Sequence, residues 1–342
     1  MLLHATTASG AQWLTQTTAG NLFQSGQAID ASKYFIVIPD SIGHGQSSKP
    51  SDGLQSGYPS YVFDDMIEAQ YQLLTENLGV DHLRLVWATT HPTFMDNCCA
   101  VACAPAEIGG RNRAFRKAAM ESITSDPGYN GGKYTTQPRG FALGLPDRSL
   151  DGPDRESSDV ITNSYVQNEL ARQDANDFVY AFAASADYDP RPKLGDIEAS
   201  FMAINFEDDQ TNPPQLKILE REIQKVKKGS FVIVPASEKT YGHSNQGHAE
   251  FWEQYKLNLQ TVSINLKGHV TFPDLPLDIW PRYLRQIIQT PPTFWQINLP
   301  PGSSKTLDAA TTAQTTDSRF LRHEAPDSEP RTPDAALPPF GI

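Results

Sequence analysis

Apolar residues along this chain fall into short continuous runs, with amphipathic stretches and turn-forming loops between them. Tyr34-Phe35-Ile36-Val37-Ile38, Phe201-Met202-Ala203-Ile204 and Phe231-Val232-Ile233-Val234 are such runs. Strands covered on both faces read this way, without alternation, so each is expected to be a buried parallel strand. Leu83-Arg84-Leu85-Val86-Trp87 and the segment from Asn97 to Ala104 read as two more, and Leu2-Leu3-His4 as a strand end running into a Thr/Ser/Gly loop. From Val62 to Asn77 the period changes: Val62, Met66, Ala69 and Leu73 recur at helical spacing, with Gly79 to close the helix. A second helix is expected from Pro214 to Lys227. Alternating strands and helices predict an α/β chain with a mainly parallel sheet and helices on both faces. The polar, Pro/Gly-broken helical text from 111 to about 195 reads as a lid.

The junction after Val86 does not fit this scheme. Neighbouring parallel strands need a crossover of roughly a dozen residues or more, yet only Ala88 to Asp96 lies between Trp87 and Asn97, with Pro92 inside it. Either one of the two segments is not a parallel strand, or a block is missing there. The expected sheet therefore holds 34–38, 97–103, 201–204 and 231–234, with 83–87 short or displaced and 290–342 unstructured.

Composition narrows the partners. The chain has 342 residues, 39% hydrophobic and 20% charged, and a net charge of −12. That balance argues against nucleic acid and anionic membrane, both of which need a basic face. No apolar run approaches membrane-spanning length and Met1-Leu2-Leu3-His4 is not a signal sequence, so a cytoplasmic protein is expected. Cys98, Cys99 and Cys103 fit a reducing compartment. They read as small core residues, since Cys98 and Cys99 point to opposite faces of a strand and make a poor metal site. No metal is expected at Asp208-Asp209 either, because no clustered ligands accompany them.

The chemistry lies in two loops. Asp209 follows the run ending at Ile204, and His243 follows the run ending at Val234. An Asp and then a His beyond successive strands is how a Ser…Asp…His triad is completed on an α/β-hydrolase sheet. The serine belongs upstream in a Gly-x-Ser-x-Gly elbow, and no such pentapeptide occurs; Gly242-His243-Ser244-Asn245-Gln246 fails at its last position. Asp208 is the alternative acid and His248 the alternative base. His44, between two glycines, reads as a satisfied loop histidine, and Arg111, Arg113 and Arg116 as a solvated helix face rather than an anion site.

Several longer strings carry a resemblance. They are the Thr-rich loop after Leu2-Leu3-His4, Gly26-Gln27-Ala28-Ile29-Asp30, Pro39-Asp40, Gly43-His44-Gly45 and Ser48-Lys49-Pro50-Ser51-Asp52-Gly53-Leu54. Further ones are Asp65-Met66, Gly110-Arg111-Asn112-Arg113, Asp126-Pro127, Asp174-Ala175-Asn176-Asp177, Asn212-Pro213-Pro214 and Gly242-His243. Over residues 1 to about 255 the chain resembles the homoserine O-acetyltransferase-like branch of the α/β-hydrolases. The resemblance implies an α/β-hydrolase fold with a helical lid, incomplete at the N-terminus and at the elbow. Residues 1–110 would be the first part of the core, 111–195 the lid, 196–255 the second part of the core with Asp and His, and 256–342 a divergent, largely disordered tail. Nine of the 26 prolines fall within the last 52 residues, which supports the last assignment.

The same resemblance places a Gly-x-Ser-Met-Gly-Gly elbow between the positions of Val86 and Trp87, where this chain has nothing. It implies His243 as general base, Asp209 as its orienting acid, and backbone N–H groups of Ala5 and Thr6 as half of an oxyanion hole. The intact reaction is acyl transfer or ester hydrolysis through an acyl-serine, on small-molecule acyl donors and acceptors. Acyl-CoA would be a co-substrate rather than a bound cofactor, and a homodimer an allowed assembly. Homoserine-specific members place an Asp directly after the catalytic His; Ser244 stands there, which favours another acyl acceptor or plain hydrolysis. Three outcomes are open for this chain. A substitute nucleophile (Ser41, Ser244 or Cys98) sustains catalysis, the chain is a non-catalytic binding protein, or it is an unstable truncated product. Inactivity is the expectation, because acid and base without a nucleophile do not turn over an ester.

Overall fold

The computed structural model describes residues 1–85, 88–138 and 152–255. Its centre is a four-stranded parallel sheet in the order β1-β2-β3-β4, formed by Leu83–Leu85, Met95–Val101, Ser200–Phe206 and Gly229–Val234. β3 is the innermost strand chemically. Met202, Ile204 and Phe206 point to one face, where they pack with Leu22 of α1 (Gln16–Leu22) and with Trp252. Ala203 points to the other face and joins Leu83, Leu194, Ile197, Leu219 and Ile223. Period-two alternation thus feeds two apolar layers at once, which is why the sequence shows a continuous run.

The amphipathic segment after Val62 forms α2 (Phe63–Gln72), which runs on into one π-helical turn, Leu73–Asn77, and buries Met66 and Leu74. Asp65 Oδ2 accepts the Val62 N–H at 2.9 Å and fixes the start of the helix. The region 111–195 supplies α3 (Gly110–Thr124), α4 (Arg155–Arg172) and α5 (Ala175–Ala183). Ile123 and Ala175 bring α3 and α5 together around Tyr129 and Tyr134. The expected helix over 214–227 is broken into a 3-10 turn, α6 (Ile218–Glu222) and a second 3-10 turn. Lys217, with φ of 55°, is left-handed between them, and a helix does not propagate through such a residue.

One sequence expectation is corrected on the β1 side. Tyr34–Ile38 is extended but is not a strand of the sheet. Leu2 N–H donates to Val37 O at 2.8 Å, yet no ladder follows, and Phe35 is 57% exposed rather than buried. β1 and β2 are both parallel strands, with Leu83 opposite Met95 and Leu85 opposite Asn97, and β1 is short as expected, although no helix joins the two among the described residues. The requirement for a long crossover assumes a strand of ordinary length. β1 has three residues, about 10 Å at roughly 3.3 Å each, so a loop is long enough to return the chain to its start. The Val86–Trp87 junction itself, and residues 256–342, lie outside the described residues. Among the described residues no helix is long and apolar enough to cross a membrane.

Candidate active site

The loop after β3 turns sharply at Asp209, whose Oδ1 accepts the N–H groups of Thr211 and Asn212 at 2.7 and 2.9 Å. Its other oxygen, Oδ2, takes the Nδ1–H of His243 at 2.9 Å. Asp209 is 1% exposed, so all three donors meet a carboxylate without competition from water. His243 opens the 3-10 turn Gly242–Gly247 beyond β4. With Nδ1–H committed to Asp209, the Nε2 lone pair is left to act as a base.

The neighbouring acid has a different task. Asp208 accepts the Gly242 N–H at 3.0 Å and the Asn245 Nδ2–H at 3.1 Å, and so ties the histidine loop to the β3 loop. His248 stacks on Tyr241 with ring centroids 4.4 Å apart and faces Glu250, away from Asp209. Of the two acids and two bases, the structure pairs Asp209 with His243.

His243 faces a cavity of about 630 Å³ whose lining is mostly apolar. Thr6, Asn112, Arg116 and Asn212 form a polar corner in it. Arg116 lies on α3 but is only 9% exposed, which corrects its expected place on a solvated helix face. Its guanidinium donates to Asn112 Oδ1, Ser185 Oγ and Thr6 Oγ1 at 2.8, 3.2 and 3.3 Å, and stands 4.9 Å above the Phe182 ring. Among the described residues no carboxylate pairs with it. Burial, and then the charge of Arg113, lower Arg116 to about 10. Arg111 instead reaches out to Gln210 at 2.9 Å.

The other expected residues fall as follows. Ala5 N–H already donates to Gln12 Oε1 at 2.9 Å, so a side chain of the protein occupies that half of the expected oxyanion pair. Thr6 is held by its carbonyl, which meets His44 Nε2 at 2.6 Å. His44 is accordingly a buried loop residue, also bonded to Ile42 O at 2.9 Å. Ser41 accepts from Gln70 at 3.0 Å and gives its N–H to His4 Nε2 at 2.9 Å. Ser244 is exposed. Cys98 lies among apolar residues, which push its thiol far up and out of nucleophilic reach. Cys103, read from the sequence as a small core residue, is instead exposed and stands just beyond Ala102, a left-handed residue with φ of 54° at the end of β2. Its thiol opens into the same cavity as His243. Desolvation by neighbouring protein groups, and then the charge of Asp209, push it up to about 11. Among the described residues no cluster of His, Cys, Asp or Glu has the makings of a metal site.

No family model matches the chain. In sequence it is 33% identical over 125 residues to an ethyl acetate hydrolase of Pseudomonas veronii, covering 32% of this chain and 36% of that protein. It is 28% identical over 295 residues to a homoserine O-acetyltransferase of Methanohalophilus mahii, covering 73% of this chain and 59% of the relative. In structure it superposes on the acetyl esterase MekB with a TM-score of 0.60 at 22% identity, covering 74% of this chain and 83% of that one. The chain has the α/β-hydrolase fold, and its sequence is similar to homoserine O-acetyltransferases. It spans between 36% and 59% of the length of the two relatives named from sequence. Within the α/β-hydrolase architecture, the two loops carrying Asp209 and His243 stand at the C-terminal ends of β3 and β4, the edge where ligands of open α/β sheets bind.

Proposed function

We propose that this chain carries the acid–base half of an acyl-transfer or ester-hydrolysis site, with His243 as base and Asp209 as its orienting acid. The observation that carries the reading is the 2.9 Å bond from His243 Nδ1 to a carboxylate buried at the end of β3. A buried ionised acid in that position fixes one tautomer and supports the imidazolium that forms when Nε2 takes a proton. Arg116, buried and without a carboxylate partner among the described residues, favours an acyl compound that bears a negative group. The 28% identical homoserine O-acetyltransferase and the ethyl acetate hydrolase support the same class of chemistry. Thr6 is the remaining candidate for a backbone oxyanion donor, with Ala5 engaged by Gln12.

The serine route is not open to the chain as it stands, because no Gly-x-Ser-x-Gly segment is present. Acid and base assist a nucleophile and do not replace one. A non-catalytic role, in which the cavity holds an acyl compound without turnover, is the second reading; the uncompensated Arg116 favours it as much as the first. The test is direct. The purified chain is expected neither to label with a fluorophosphonate probe nor to hydrolyse p-nitrophenyl acetate above a His243→Ala control. Inserting a Gly-x-Ser-Met-Gly-Gly strand-to-helix segment between Val86 and Trp87, with the N-terminal strands of the relatives supplied, is expected to restore labelling. Robust His243-dependent turnover by the unaltered chain would overturn the inactive reading and direct attention to Ser41, Ser244, Cys98 and Cys103.

A further inference from the structure

We propose that the cavity beside β2 is an acyl-chain site, built to take a straight chain well beyond acetyl, in the range of hexanoyl to decanoyl. The proposal rests on the reading of the His243 corner as an acyl site and names the substrate class for it. β1 ends at Leu85 opposite Asn97, whereas β2 continues to Val101 in ladder with β3. Past the end of β1, the cavity runs along Cys98 to Ala104. Its far wall comes from Met66 and Ile67 of α2 and from Leu3, and Ile67, Leu3 and Cys98 belong to one apolar cluster.

Size and polarity decide what fits. At about 630 Å³ the space is of the size that encloses a drug-like ligand, far more than an acetyl group fills. Most of its lining is apolar and the Thr6–Asn112–Arg116 corner is polar and joined by hydrogen bonds, while further polar side chains, among them Ser41, Asp64, Gln70 and Lys193, line it elsewhere. Away from that corner, burial drives Cys98 firmly to its neutral thiol, the mark of an environment that does not solvate charge. A polar ligand lying along Cys98 to Ala102 would leave donors and acceptors unpaired against that side of the cavity, at a cost of a hydrogen bond or more each. A hydrocarbon chain would leave none.

Calorimetric titration of the full chain with sodium acetate, butyrate, hexanoate, octanoate and decanoate tests this without requiring turnover. From butyrate to octanoate, Kd is expected to fall roughly fourfold per pair of hydrogens and carbon added. Ala100→Phe, which fills the space from β2, is expected to weaken octanoate by about tenfold and butyrate by less than about twofold. If that variant does not fold, Ile67→Trp makes the same test from α2. A Kd that stays within about twofold across the series, or tightest binding at acetate, overturns the acyl-chain site. So does a folded variant that binds octanoate as the parent does. A chain that binds octanoate yet hydrolyses nothing sinks the catalytic reading and supports this one. A chain that hydrolyses acetyl esters and ignores chain length does the reverse.

Discussion

The two flanks of β2 differ sharply in how well they are tied. On one side β3 is registered with β2 at five positions and with β4 at six, and the loop beyond β3 carries Asp208 and Asp209, which hold backbone N–H groups and the histidine loop beyond β4. On the other side β1 meets β2 at two positions, and the segment 34–38 is held by backbone bonds such as Leu2 N–H to Val37 O rather than as a strand of the sheet. The acid–base pair belongs wholly to the first flank. The Asp209–His243 geometry therefore does not depend on the segment where an α/β-hydrolase carries its nucleophile.

The largest test of this contrast is core truncation on each side. Phe206→Ala, at a fully buried position of β3, is expected to cost about 3–5 kcal/mol in urea unfolding, and Leu83→Ala, on β1, about 2 kcal/mol or less. Equal costs would break the comparison, because β1 would then be as firmly integrated as β3.

Acid sharpens it next. His4 lies on the weakly tied flank, and its Nε2 accepts the Ser41 N–H, so Nδ1 carries the proton. Burial, helped by the neighbouring His44 ring, lowers it to about 4, against about 6.5 in an unfolded chain. A folded value below the unfolded one means that the unfolded state binds the proton first as pH falls. The stability contributed by neutral His4 is thus intact above about pH 6.5 and is lost progressively towards pH 4, about 3 kcal/mol in all. His4→Gln is expected to flatten that acid limb in denaturant melts at pH 7 and pH 4.5; an unchanged limb would remove His4 as its cause.

The smallest effect is a labelling rate at the boundary of the two flanks. With its thiol pushed from 9.0 to about 11, Cys103 is expected to react with iodoacetamide at pH 8 about tenfold more slowly than an ordinary thiol of the same exposure, its lost thiolate being partly offset by the greater nucleophilicity of a more basic one. Rapid labelling that His243→Ala slows would show the imidazole withdrawing the thiol proton, and would join the two flanks in one reactive site.

How far the sequence could be read follows the same division. Runs such as Phe201–Ile204 and Phe231–Val234 are legible because a strand buried on both faces needs apolar residues at every position. Asp209 and His243 are legible because they stand just beyond such runs. Tyr34–Ile38 has the same text but no ladder, since pairing depends on a neighbour that a local pattern does not record. Arg116 looks like its exposed neighbours on α3, and only the packing of α5 against it makes it buried. Cys103 and the Ala5–Gln12 bond were illegible for a similar reason: a cavity and a side chain reaching back seven residues are products of tertiary structure.

Asp209 also bears on descent. Its carboxylate accepts two backbone N–H groups of the turn it begins, besides the imidazole. Exchange it for Ala and two part-buried amides lose their acceptor, whether or not any ester is ever cleaved. A lineage that stopped using the chemistry would still be penalised for losing this acid. Relics of this fold are accordingly expected to shed nucleophile, then base, and to surrender the acid last, so that a surviving Asp is weak testimony to a living enzyme while a surviving His243 is the stronger witness.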